Sequence, residues 1–237
     1  MSCSKTIFLI VTLLLISNCY LWSQVELDHV WNNNLKVRYL KTTRWKATFG
    51  FAKRAELDNF STILRRGEDD DKLDFNHIEF KHELTYDLNE RFDIGLENRF
   101  RYRSLFDDEK DNEIRIAPYL ILTDKKGVKE NSYELKTEIR RRRESVAFRI
   151  RIGHELEQPF KTQLDKEDPL KWFFGTTLLS QFEADERTEV EIRNEIGIKG
   201  TLWRKLNFSL GVQLRNEYDF DEFGRALFYA TALGYKF

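Results

Sequence analysis

The sequence predicts an all-β fold, a transmembrane antiparallel up-and-down β-barrel of about 12 strands within a range of 10–12. Three observations carry that expectation. Apolar and charged residues alternate with period two over successive segments, most of about 11 to 14 residues. A strand sends such alternating residues to opposite faces, whereas a helix scatters both sets around its axis. Ordinary strands average about 5 to 6 residues, but a tilted strand crossing a bilayer needs roughly 9 to 11. Finally, nothing after the N-terminal segment is apolar and long enough for a membrane helix, so any spanning structure has to be a closed barrel.

Composition alone points elsewhere. The 237-residue chain is 33% charged, with Lys+Arg 39 against Asp+Glu 40, and its mean hydropathy is -0.58. Near-neutrality gives nucleic acid or an anionic surface no purchase. A hydrophilic average does not exclude a membrane barrel, because it also counts residues that face the lumen and the loops.

Residues 1–23 read as a Sec-type signal peptide, with Lys5 in a short basic region, an apolar run Ile7 to Ile16 and a polar exit at Leu21-Trp22-Ser23. That run is about half of the roughly 20 residues a spanning helix needs. Cleavage before Gln24 leaves residues 24–237 as one barrel domain, and processing at Cys19 in a loose lipobox is the alternative. Cys3 and Cys19 both lie in the removed segment, so the mature chain has neither thiol chemistry nor disulfides.

The elements follow in order. Eleven segments are evident, and an even number is expected when both ends lie on one side of the membrane. A short first strand at about 25–31 completes the set, with Asn32-Asn33-Asn34 as a tight turn, since asparagine tolerates left-handed backbone. Weaker alternation marks 35–41 and 45–56. Clear alternation follows: Ile78, Phe80, His82, Leu84 and Tyr86 oppose Glu79, Lys81, Glu83, Thr85 and Asp87. Likewise Ile94, Leu96 and Phe100 oppose Asp93, Glu97, Arg99 and Arg101 on a strand ending near Arg103. Segments at 113–123, 132–142, 145–157 and 170–183 are weaker. Val190 to Ile198, Leu206 to Leu214 and Leu227 to Phe237 complete the ring.

Connectors support hairpins. Lys41 to Arg44, Leu88 to Arg91 and Gly200 to Arg204 are short, while 57–73 and 104–112 are long and acidic, as short inner turns and long outer loops would be. Two break the alternation: Gln158 to Pro169 is long on the inner side, and Arg143-Glu144 is short on the outer. Aromatic residues form two expected belts. Trp45, Tyr86, Phe92, Trp172, Trp203, Tyr235 and Phe237 fall at the inner rim; Tyr102, Phe148, Phe182, Tyr218 and Phe228 fall at the outer one.

The repeated strand, short turn, strand unit, as in His77 to Phe92, and the ending Leu233-Gly234-Tyr235-Lys236-Phe237 resemble the domain-of-unknown-function 2490 family of outer-membrane β-barrel proteins. The resemblance covers nearly all of the mature chain. It implies the fold and a bacterial outer-membrane location, and Leu233, Tyr235 and Phe237 look like the terminal signal read by the barrel assembly machinery. It supplies no catalytic residues.

Chemistry-bearing constellations are sparse. His29, His77, His82 and His154 do not cluster, and His77 and His82, five apart on a strand, face opposite sides, so no metal site is expected. No cofactor loop or nucleophile elbow occurs. His82 and His154 face lipid on this register without an aligned serine, which leaves a membrane-embedded lipid hydrolase as a remote alternative to a non-enzymatic barrel.

The lumen is more informative. Arg99, Arg101, Arg103, Arg140, Arg142, Arg149 and Arg151 point inward as a basic arc in its upper part. Glu83, Asp87, Asp93, Glu97, Glu134, Glu138 and Glu155 point inward lower down. Arginine forks bind carboxylate or phosphate, so the arc suits an anionic solute or a lipopolysaccharide phosphate. A cross-bracing ion-pair network is the plainer reading, because inward acids nearly match inward bases. The expectation is a monomeric, narrow, charge-lined, porin-like pore or small-solute channel in outer-membrane lipid and lipopolysaccharide, with no nucleic-acid partner and no cofactor. A non-conducting envelope barrel that uses loops 57–73 and 104–112 is the rival.

Overall fold

A computed structural model describes residues 28–57, 74–104, 111–143, 145–160, 169–183, 188–203, 206–218 and 223–236. The signal segment, most of both long loops and Phe237 lie outside these residues. Eleven strands form: β1 (Asp28–Lys41), β2 (Trp45–Leu57), β3 (Asp74–Asp87), β4 (Phe92–Tyr102), β5 (Glu113–Lys126), β6 (Lys129–Arg141), β7 (Val146–Pro159), β8 (Lys171–Glu183), β9 (Glu189–Trp203), β10 (Leu206–Tyr218) and β11 (Phe223–Lys236). Each pairs antiparallel with the next, and β1 meets β11 to close the barrel.

Closure takes a different form from the expected one. No separate short strand precedes a turn at Asn32-Asn33-Asn34; β1 runs through all three. Each asparagine finds partners on both sides: Asn32 opposes Ala230 and Arg54, Asn33 opposes Thr231 and Lys53, and Asn34 opposes Ala232 and Ala52. Two ladders outweigh the turn preference of asparagine, because a strand interior satisfies every backbone donor and acceptor. The count is therefore odd, and β1 pairs with β11 in parallel, from Asp28↔Ala226 to Arg38↔Lys236. As a result β1 begins at the rim bearing the long connectors, called the upper rim below, and β11 ends at the opposite, short-turn rim. On the short-turn rim, β5 and β6 are joined by Gly127 and Val128 alone, and Gly127 takes a left-handed φ of 61°, where a side chain would be strained.

The barrel wall is amphipathic in reverse. Alternate residues of β5 show the sorting: Ile114, Ile116 and Leu120 are exposed on the outside, while Glu113, Arg115, Ala117 and Tyr119 are buried inside. Ile94, Leu96 and Phe100 on β4 are also exposed, and so are Phe148 and Ile152 on β7 and Phe174, Leu178 and Phe182 on β8. Burial meanwhile collects charged residues such as Glu79, Glu97, Glu138, Arg140, Arg149 and Glu191. Trp45 and Tyr86 place their rings 4.7 Å apart at the short-turn rim. One expected belt residue turns inward: Phe228 is buried, with Arg54 and Arg215 over its ring at 5.0 and 5.6 Å. Parity demands this, since Leu227 and Tyr229 occupy the opposite face.

Two inward aromatics need glycine beneath them. Tyr119 lies across Gly95, where an added Cβ would come within 2.2 Å of the ring. Its hydroxyl reaches Glu83 at 2.9 Å and Thr85 at 2.6 Å. Phe173 covers Gly197 and Gly211 in the same way. Gly95→Val or Gly197→Val is expected to lower stability by about 1–3 kcal/mol through overpacking, read as an earlier urea midpoint of the refolded barrel. The same change at Gly175, which has only a backbone oxygen at 3.7 Å, is expected to cost much less.

Candidate functional site

The lumen holds two different environments. Its upper part is a packed layer of ion pairs contributed by neighbouring strands. Glu97, 1% exposed, is met by Arg99 at 2.7 Å, by Lys136 at 2.9 Å and by Lys81. Glu79 takes Arg101 at 2.9 Å and Arg99 at 3.1 Å. Glu113, wholly buried, pairs with Arg115 and Arg142 and lies 3.9 Å from Arg101. Arg140 bonds Glu138 at 2.6 Å and Gln181 at 2.8 Å, while Arg149 also donates to Gln181. Across the ring, Glu191 takes Arg193 and Arg215.

This layer shows where each expected site residue stands. Arg99, Arg101, Arg140 and Arg142 are in ion pairs, and Arg149 is held by an amide. Arg103, in the connector after β4, donates its backbone N–H to Asn112 Oδ1 at 2.9 Å. Arg151 has a buried Nε without a hydrogen-bond partner. Glu97 and Glu138 stand among the arginines rather than below them. Glu83 is held by Lys81 at 3.0 Å, Asp87 and Asp93 face Lys46 at 2.7 and 3.9 Å, and Glu155 takes Lys199 at 2.8 Å. Glu134 joins Arg151 in the wall of a second cavity of about 310 Å³. The expected lumen set omitted Glu79, Glu113, Arg115, Lys136 and Glu191, although each sits on the charged parity of its strand and is buried.

Below the layer the lumen opens. A cavity of about 760 Å³ reaches the short-turn rim, lined by Lys36, Arg38, Lys171 and Lys199 as well as Glu83, Glu130 and Glu157. Its emptiness has a local cause. The inward residues of β10 and β11 that line it include the small Ser209, Ala232 and Gly234.

No family model matches the chain, and no curated protein does. The side-chain geometry therefore carries the functional reading.

The outward face holds the two histidines. His82 Nε2 lies 2.6 Å from Tyr39 Oη, and its register neighbours are Phe49 and Asn98. His154 stacks on Tyr133 at 4.8 Å, with Nε2 3.3 Å from Asn131 Oδ1. Opposite it, Thr176 donates its hydroxyl to Asn194 at 3.0 Å. No serine stands in register beside either imidazole, and His77 points inward, buried. One carboxylate trio, Glu189, Glu191 and Glu217, gathers within 4.8 Å among the described residues. Arg193 and Arg215 already engage its central member, and Arg215 also reaches Glu217 at 2.6 Å. At the C-terminal end, Leu233 and Tyr235 are exposed on the outer wall.

Proposed function

We propose that the protein is an integral outer-membrane β-barrel, held in lipid and lipopolysaccharide by its apolar belt, with a lumen occluded by the upper ion-pair layer. The observation that carries this reading is the reversed wall: large apolar residues such as Ile114, Ile116, Ile152 and Phe182 face outward, while Glu97, Glu113, Arg115 and Glu191 are buried within. Exposing such a belt to water costs roughly 25 cal/mol per Å² of apolar surface, and hydrocarbon removes that cost. Resemblance to the outer-membrane barrel family and the terminal alternation at Leu233 and Tyr235 support the same location and insertion by the barrel assembly machinery. The reading is of a single-chain, narrow, charge-lined passage, closed at rest and without enzymatic activity.

Occlusion follows from packing. Long side chains of both signs fill a barrel of this size, and their pairing leaves few charges for a passing ion to replace. Refolded wild-type protein in planar bilayers is expected to be silent over long intervals at moderate voltage. Steady ohmic current like that of an open porin would overturn the occlusion. Mature protein that stays in the aqueous phase without detergent would overturn the membrane reading.

A further inference from the structure

We infer that the cavity at the short-turn rim is a binding site for a small soluble oxyanion, a phosphate or carboxylate group, held by Lys36 and Arg38. The inference concerns the barrel interior and does not depend on conduction.

Charge bookkeeping within the cavity is uneven. Glu83 is taken by Lys81 and by the Tyr119 hydroxyl, Glu157 by Lys171 and Lys199, and Glu130 by Lys125. Each lining carboxylate thus already has a cation. Lys36 and Arg38 are different: among the described residues neither makes an ion pair or a side-chain hydrogen bond, and Arg38 Nε is shielded from solvent without a partner.

Register explains why they are left over. Lys36 lies between Gly234 on β11 and Gly50 on β2, and Arg38 between Lys236 and Thr48. No acid stands opposite either cation in register, and the acids that act on Lys36 from nearby strands, Glu83 and Glu97, are both already paired with Lys81. Two residues apart on one strand, the two groups project from the same face about 7 Å apart. That spacing lets a flexible ammonium and a guanidinium fork converge on one anion.

The rest of the cavity suits a hydrophilic ligand. Thr48, Thr201, Asn207 and Ser209 present hydroxyl and amide groups, and about 760 Å³ accommodates more than the anion alone. A soluble solute is favoured over a lipid headgroup because the cavity lies inside the wall, whereas lipid would contact only its outer face.

The test titrates the refolded full-length mature chain in micelles, at low ionic strength, with inorganic phosphate followed by phosphorus NMR linewidth. Wild type is expected to bind saturably. Lys36→Gln with Arg38→Gln is expected to weaken binding by roughly tenfold per cation removed, while Lys36→Arg with Arg38→Lys retains it. Lys126→Gln, at a side chain 79% exposed whose partner Asp124 lies outside the cavity lining, is expected to change nothing. Absence of saturable binding in wild type, or unchanged affinity in the double Gln variant, overturns the inference. Should that variant fail to refold, amide shifts of wild type on adding phosphate decide: shifts centred on Lys36, Arg38 and Ser209 support the site, and shifts centred elsewhere overturn it.

Discussion

Glu113→Ala is expected to lower the stability of the refolded barrel by about 3–5 kcal/mol, because removing one partner leaves buried charge uncompensated. Three guanidinium groups depend on this carboxylate: Arg115, Arg142 at 3.3 Å and Arg101 at 3.9 Å. With Glu113 wholly buried, water cannot take its place without entering the layer. Urea unfolding in micelles measures the loss. The comparison is Lys125→Ala, whose side chain is 67% exposed and pairs with Glu130 at 3.4 Å; that variant is expected to lose about 0–1 kcal/mol. Equal losses in the two variants would show that the layer contributes no more than surface pairs. The same Glu113→Ala protein is expected to give current steps in planar bilayers where wild type is silent, since water admitted where Arg115, Arg142 and Arg101 lose a shared carboxylate opens a path.

Asn33→Cys combined with Thr231→Cys is expected to form a disulfide on oxidation and to stabilise the barrel by about 5 kcal/mol in the chain-entropy account. The two residues oppose each other across the parallel seam, and the Thr231 hydroxyl already donates to Asn33 Oδ1 over a sequence separation of 198. The size of the effect comes from that separation, since the cross-link removes a very long loop from the unfolded ensemble. Cys3 and Cys19 are the only native cysteines, and a chain starting at Gln24 has no competing thiol. Asn34→Cys with Thr231→Cys is the control, because its side chains leave opposite faces. A short strand at 25–31 with a turn at Asn32-Asn33-Asn34 would take Asn33 out of the ladder. Absence of the cross-link in the first pair would therefore overturn the parallel closure.

The seam is also where sequence reasoning met its limit. Alternation located eleven segments, and eleven strands form, but an argument from even strand number added a twelfth. Whether Asn32 to Asn34 turn or continue depends on two partners about 20 and 200 residues away, and no local pattern encodes that competition. The charged lumen shows the same division. Parity predicts that Arg99 and Glu97 share a face, and they pair at 2.7 Å. It does not predict that Lys136 reaches Glu97 from 39 residues away, or Arg142 reaches Glu113 from 29.

Period two is written into each strand separately, so the sequence by itself determined the all-β class, the apolar outer wall and the charged interior. The tertiary structure alone decided the odd count, the parallel seam, which lumen charges meet, and the placing of Lys36 and Arg38 away from any ion pair. The physical reason is register: which residues adjoin depends on how far each strand slides against the next. Lys36 beside Gly234 and Gly50 is the clearest case. In the sequence nothing sets it apart within 35–41; in the barrel it is a cation lining an open cavity.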